Sequence, residues 1–144
     1  MRNRIAVLHG VNLDALARRP PDVYGGLSLP ALERQISGYA HELGLEARFF
    51  QSNHEGEYVE ELHRSADYAD GLVLNPGAWT HYAWALRDAV EVSGLPAVEI
   101  HLSDVENREE WRRHSVLADV VVARVSGQGP EGYRAALQHI KDAL

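Results

Sequence analysis

Short, mainly apolar runs recur along the chain, separated by segments whose apolar residues follow the period of a helix. The runs are Ile5 to Leu8, Ala47 to Phe50, Leu72 to Leu74, Ala97 to Ile100 and Val120 to Val125. From Leu29, apolar residues return at Leu32, Ile36, Tyr39 and Leu43, with Gly44 as the stop. Val59, Leu62, Ala66 and Ala69 form a second helical stripe, and Tyr82, Ala83, Leu86, Ala89 and Val90 a third, halted by Gly94 and Pro96. Asn107 with Glu110 predicts the cap of a short helix, and Pro130 opens a last one bearing Tyr133, Leu137, Ile140 and Leu144. Strands that are apolar on both faces and alternate with helices require a parallel sheet covered on both sides. The expected fold is α/β: a doubly wound, flavodoxin-like three-layer sandwich with a five-stranded parallel sheet, in a single domain spanning residues 1–144.

In such sheets ligands bind beyond the carboxyl ends of the strands, where the strand order reverses. The residues just after each run are unusually polar. They read His9-Gly10-Val11-Asn12, Gln51 to Gly56, Asn75-Pro76-Gly77-Ala78-Trp79-Thr80-His81, then Glu99, His101 and Ser103, and finally Ser126-Gly127-Gln128-Gly129. Any one of them is ordinary turn punctuation. Their convergence on one sheet edge predicts a site, and Glu99 and His101 share one side of their strand.

The connection between the first run and Leu29 is nearly 20 residues long, where such connections normally take about 2–6. A lid loop is predicted over residues 18–26, stiffened by Pro20 and Pro21 and hinged at Gly25 and Gly26. It carries Arg18, Arg19 and Tyr24. A phenol, with a pKa of about 10, is a poor base at neutral pH unless a cation stabilises its phenolate. Arg19 can supply that cation without competing for the proton.

Composition closes several routes. The chain lacks cysteine, which excludes disulfides, a thiol nucleophile and Cys-ligated metal clusters. A formal net charge of −7 argues against nucleic acid or an anionic membrane as the main partner. No run approaches the ~18 apolar residues of a membrane span, and the apolar stretch after Arg2 and Arg4 is too short for a signal peptide. A cytoplasmic protein is expected. No zinc-protease motif is present: His54-Glu55-Gly56-Glu57-Tyr58 breaks the HExxH pattern at its fifth position. His41, His63 and His139 fall in helical segments as surface residues, so no metal is expected. The only lysine is Lys141, near the C-terminus.

Several motifs together resemble the type II 3-dehydroquinate dehydratases. Gly10-x-Asn12-Leu13, Arg19 and Pro21-x-x-Tyr24-Gly25 are similar to the N-terminal signature of that family, and Gln51-Ser52-Asn53-His54-Glu55-Gly56 to its second motif. Asn75-Pro76-Gly77-Ala78 with Thr80-His81 and Ala85-Leu86-Arg87-Asp88 resembles the third. Glu99-x-His101-x-Ser103 with Arg108-Glu109 and Arg112-x-x-Ser115 resembles the fourth, and Gly127-x-Gly129 with Gly132-Tyr133 the last.

The resemblance implies a cofactor-free hydro-lyase that dehydrates 3-dehydroquinate to 3-dehydroshikimate by anti elimination through an enolate. By motif position, Tyr24 would be the base, Arg19 would favour its phenolate, and Asn12 would help hold the enolate. His101 would protonate the departing hydroxyl, with Glu99 orienting its ring. Asn75, His81, Arg112, Leu102 and Ser103 would bind the carboxylate and hydroxyls, and Asp88 would be lent across a subunit contact. A homododecamer, a tetramer of trimers, is the implied assembly. The other, unrelated class of dehydroquinate dehydratase works through a lysine Schiff base, and Lys141 lies outside the predicted site.

Val11 stands where the family usually has proline, and Asp14-Ala15-Leu16-Ala17 replaces a more usual Asn-Leu-Leu-Gly. Trp79 and Trp84 are bulkier than common family residues. The implied substrate is therefore 3-dehydroquinate or a close analogue such as amino-dehydroquinate, in the shikimate pathway, quinate breakdown or a specialised pathway. A binding module of the same fold is a different class of reading. A flavodoxin would need a Ser/Thr-rich phosphate loop after the first strand, and a receiver domain an Asp ending the third strand and a Lys ending the fifth. Neither pattern is present.

Overall fold

The computed structural model describes residues 2–144. Its strands are β1 (Arg4–His9), β2 (Glu46–Gln51), β3 (Gly71–Asn75), β4 (Ala97–His101) and β5 (Ala123–Ser126). They form one sheet in the order β2-β1-β3-β4-β5, and every pairing is parallel. From β1 the chain runs outward to β2 and returns to β3 on the other side of β1. The strand order therefore reverses between β1 and β3, where a doubly wound sheet opens a crevice.

The helices are α1 (Pro21–Tyr24), α2 (Leu29–Glu42), α3 (Glu55–Tyr68), α4 (Trp84–Ser93), α5 (Glu110–Arg113) and α6 (Gly132–Asp142). Side chains alternate across a strand, so β1 to β4 feed two cores, while β5 gives Ala123 and Val125 to one of them. Ile5 and Val7 pack with Leu32 and Ile36 of α2 and with Tyr133, Leu137 and Ile140 of α6. Ala6 and Leu8 pack with Tyr58 and Leu62 of α3 and with Leu86, Ala89 and Val90 of α4. Burial of each large side chain contributes ~1.5–3 kcal/mol. Helix α2 begins as its sequence suggests, with the Ser28 hydroxyl accepting from the Ala31 amide at 3.3 Å.

Four local expectations need correction. The fifth strand does not reach back to Val120. It starts at Ala123, opposite Val98; β4 itself begins only at Ala97, whose carbonyl accepts from the Val122 amide at 2.8 Å, and the ladder extends no further back. The α3 stripe is also rotated: Tyr58, Glu61, Leu62 and Ser65 are buried, while Ala66 is exposed. Polar groups on that face are satisfied locally, Tyr58 donating to the Leu8 carbonyl at 2.8 Å and Ser65 to that of Leu62 at 2.7 Å. An apolar template does not register such residues. Tyr82 precedes α4 and is 61% exposed rather than part of its buried face. Asn107 is not a helix cap; it donates to Asp104 at 2.5 Å, and Glu109 occupies the N-cap position of α5.

The long segment between β1 and α2 is partly ordered into helical turns. Residues Leu13–Arg18 form a 3-10 helix anchored by buried Leu13 and Leu16, and α1 follows. Gly25 has φ 92° and sits against Pro130, where a Cβ would lie 2.7 Å from the ring. The loop is thus pressed onto the body of the domain. His41, His63 and His139 are exposed, as expected. Among the described residues, no helix is long and apolar enough to cross a membrane.

Candidate active site

The carboxyl ends of β1, β3 and β4 deliver His9, Asn75 and His101 to one edge of the sheet. The loops above them are held unusually close. Gly10 donates to the Asn75 carbonyl at 2.8 Å. Gly77 has φ 66°, and a Cβ there would stand 2.6 Å from the Val11 carbonyl oxygen. Asn12 is the only non-glycine residue described with positive φ, at 69°. Its left-handed backbone is braced by Asn53, whose side chain accepts from the Asn12 amide at 2.8 Å and donates to Asp14 at 3.0 Å. Gln51 adds a bond to the Gly10 carbonyl at 3.2 Å. The polar segment after β2 therefore supports the Asn12 loop instead of lining the cavity.

That cavity has a volume of about 410 Å³ and lies between the long loop and the strand ends. Asn12, Arg19, Tyr24, Asn75, His81, His101, Leu102, Ser103 and Arg112 line it. Of the residues singled out in the sequence, Glu99 lies behind the wall, fully buried, and Asp88 is exposed on α4 outside the cavity. Arg18, Val105 and Trp111 line it as well, and the sequence had not assigned them. Although the protein is acidic overall, Arg18, Arg19 and Arg112 give the cavity a cationic wall suited to a carboxylate.

Tyr24 sits at the end of α1 with guanidinium groups on its oxygen. Arg19 donates to it and lies over the ring, 4.2 Å from its centroid. Arg108 donates from the other direction at 2.8 Å. Guanidinium groups have donors only and keep their protons, so both contacts remain favourable to an anionic phenolic oxygen. The role of Arg108 was not read from the sequence. It lies 84 residues from Tyr24, and no local pattern connects them.

His101 is held by Glu99. The ring Nε2 lies 2.6 Å from Glu99 Oε2, and the residue lines the cavity. Thr80 donates to the same carboxylate oxygen. The other oxygen accepts from Ser115 at 2.7 Å and pairs with Arg124 at 3.1 Å. Burial alone raises the proton affinity of the Glu99 carboxyl. The hydrogen bond and charge of His101, together with Thr80 and Arg124, outweigh that and bring its pKa down to about 2. An ionised Glu99 fixes the orientation of the His101 ring.

His81, which lines the cavity, donates from Nδ1 to the His114 carbonyl at 2.7 Å, so its Nε2 remains as an acceptor. Its ring stacks on His101 at 6.3 Å and meets the edge of Trp111 at 5.1 Å. Burial lowers the His81 pKa more than the His114 carbonyl raises it, and His101 and Arg112 lower it further. Arg112 pairs with Glu109 and covers Trp111. The Ser103 and Leu102 carbonyls are engaged by Gly127 at 3.0 Å and Gly129 at 3.2 Å, which pins that segment. The arrangement puts a phenol under two cations and an imidazole held by a carboxylate on the wall of one cavity of small-molecule size. Such a pair can abstract a proton on one side and deliver one on the other.

The strand ends do not suit the other readings of this fold, since β3 closes on Asn75 and β5 on Ser126. A family model described as "Dehydroquinase class II" matches residues 3–141. The 3-dehydroquinate dehydratase of Pelotomaculum thermopropionicum is 49% identical over 135 residues, covering 94% of each chain. That of Halothermothrix orenii is 46% identical over 142 residues, covering 99% of this chain and 96% of the other. The crystal structure of a type II dehydroquinase from Butyrivibrio crossotus superposes with a TM-score of 0.92 at 37% identity, covering 97% of this chain and 98% of that one.

Proposed function

The chain belongs to the class II dehydroquinase family, and from that premise we propose that it dehydrates 3-dehydroquinate to 3-dehydroshikimate by anti elimination. Tyr24, as phenolate, takes the proton on the carbon next to the ketone. The electron pair moves into the carbonyl and gives an enolate, which Asn12 helps to hold. Collapse of the enolate expels the hydroxyl, and His101 protonates it so that water leaves. The proton taken by Tyr24 balances the one given by His101, and returning it to the imidazole resets the site for another turnover. No cofactor enters this sequence of steps.

The observation that carries this reading is that Tyr24, bonded by Arg19 and Arg108, and His101, held by Glu99, line one cavity. Elimination through an enolate needs a base and an acid on different sides, and fixed donors where negative charge develops. Asn75, His81, Arg112 and the Leu102–Ser103 segment anchor the carboxylate and hydroxyls. Residues 18–26 act as a lid that excludes water during the reaction. The cationic wall supports recognition of a carboxylate substrate.

The protein works in the cytoplasm, within the shikimate pathway, as a homododecamer in which Asp88 reaches a neighbouring site. Support for self-association comes from Tyr82 and Trp84, 61% and 58% exposed near Asp88. The test is to give purified protein 3-dehydroquinate and follow the enone absorbance of the product, with amino-dehydroquinate run in parallel. Enone formation is expected with 3-dehydroquinate. A folded protein that forms none from it overturns the reading, and turnover of the amino compound alone moves the substrate to the analogue.

A further inference from the structure

Below the cavity floor, side chains from three different elements meet at one oxygen. His9 closes β1, Asn75 closes β3, and Tyr133 lies in the first turn of α6. His9 and Asn75 are register partners in the sheet. The His9 Nε2 lies 2.8 Å from the Tyr133 hydroxyl, and Asn75 Nδ2 donates to that hydroxyl at 3.2 Å. His9 and Tyr133 are fully buried, and neither lines the cavity; Asn75 does.

The hydrogen bonding leaves little choice of orientation. The Gly77 amide donates to Asn75 Oδ1 at 3.3 Å, so Nδ2 must face Tyr133. Tyr133 accepts that bond, and its own proton is directed at His9 Nε2. The imidazole is neutral, because burial lowers its pKa to about 4, and it can therefore accept. Its remaining nitrogen, Nδ1, then carries the hydrogen, and it is the one buried side-chain polar atom without a partner among the described residues. Leaving such a donor unpaired costs ~1–3 kcal/mol. An apolar residue would fill the position without that cost. What the imidazole supplies instead is an acceptor at Nε2.

We propose that His9 is a positioning residue of the active site, acting through Tyr133 to hold the Asn75 amide with a donor aimed into the cavity. Oδ1 and one Nδ2 hydrogen of Asn75 are engaged by the protein, which leaves the second Nδ2 hydrogen for a substrate oxygen. Without His9 the Tyr133 hydroxyl loses its acceptor. Its proton then competes for Asn75 Oδ1, and the amide can turn to present an acceptor where a donor is needed. The inference rests on the reading of this cavity as a dehydroquinase site in which Asn75 contacts the substrate.

The test is steady-state kinetics with 3-dehydroquinate on His9→Leu, His9→Gln, Tyr133→Phe and the double variant His9→Leu/Tyr133→Phe, with thermal unfolding of each. His9→Leu should raise KM about tenfold, the worth of one hydrogen bond, with kcat changed by less than about threefold. His9→Gln, which keeps a neutral acceptor, should recover most of the loss. The double variant should be no worse than the poorer single one, because both act on the same contact. A purely structural role would lower the unfolding temperature without moving KM, and glutamine would not restore it. A folded His9→Leu enzyme with KM within about twofold of the unaltered enzyme overturns the proposal, as does His9→Gln behaving like His9→Leu. If His9→Leu does not fold, an unchanged KM in Tyr133→Phe overturns it equally. Absence of turnover in the unaltered protein marks failure of the functional reading and takes this inference with it; normal turnover with unmoved KM values defeats this inference alone.

Discussion

The phenolic oxygen of Tyr24 accepts a hydrogen bond from Arg108 Nη1 at 2.8 Å, across 84 residues of chain. Arg19, five residues away, reaches the same oxygen. The long loop thus carries one of its cations with it and meets the other on the body of the domain. That second contact fastens the loop to the body of the domain.

Replacing Tyr24 by phenylalanine removes the base and both contacts at its oxygen. Turnover should fall by about a thousandfold or more, within the range that positioned acid–base groups supply, while oligomer mass and the far-ultraviolet spectrum stay unchanged. Arg108→Ala should lower kcat/KM by at least about tenfold, the worth of a charge-assisted hydrogen bond. Steady-state kinetics check both. An Arg108→Ala enzyme with full activity would show that Arg19 alone serves Tyr24.

Glu99 is fully buried and satisfied by His101, Thr80, Ser115 and Arg124. Glu99→Gln preserves its shape but removes the negative charge that holds the His101 ring. A loss in kcat of about a hundredfold is expected, at the lower end of general acid catalysis. Ser115→Ala leaves the carboxylate with its other partners and should cost less than tenfold, about one neutral hydrogen bond. Equal losses in the two variants would remove Glu99 from its special place in this network.

Gly77→Ala combines an unfavourable backbone with a steric conflict. The residue has φ 66°, and its Cβ would approach the Val11 carbonyl oxygen to 2.6 Å. Unfolding free energy should drop by ~2–4 kcal/mol, since a strained φ costs ~1–3 kcal/mol and overpacking adds to it. Urea unfolding measures the effect. KM should also rise, because the displaced Val11 lies next to Asn12.

His9 makes stability depend on pH with a definite sign. Burial lowers its pKa from 6.5 to about 4 in the folded protein, so between those values the unfolded chain binds the extra proton. Its contribution is fully present above pH ~6.5 and is lost as pH falls to about 4. The lost stability amounts to ~3 kcal/mol at the conversion of ~1.4 kcal/mol per pKa unit. Urea unfolding of the unaltered protein and of His9→Gln at pH 7 and pH 4.5 checks this. The variant should lose less stability over that interval; parallel losses would assign the slope to other groups.

Much of the fold was legible because periodicity is a local property of backbone geometry. Strands alternate their side chains and helices return every 3.6 residues, so Ile5 to Leu8 and the stripe from Leu32 to Tyr39 announced their elements without knowledge of their neighbours. The stripe of α3 departs from its apolar pattern where Tyr58 and Ser65 go inward with their hydroxyls satisfied. The fifth strand is shorter than its apolar run because its start depends on where β4 offers partners. Motif order points to Tyr24, Asn75 and His101, which line the cavity, but not to Val105 or Trp111, and it gives Asn53 no role although that side chain braces the Asn12 loop.

The arithmetic of the sequence alone determined the layered α/β fold, the absence of cysteine chemistry and the edge of the sheet on which polar residues would gather. Only the tertiary structure decided which of those residues touch. Arg108 on Tyr24, Arg124 on Glu99, and His9 on Tyr133 each join separate elements. Hydrogen bonds act over about 3 Å, so such pairings exist only once the sheet order and loop packing have brought distant segments together. The pattern of apolar residues specifies a shape, and the shape selects the polar partners.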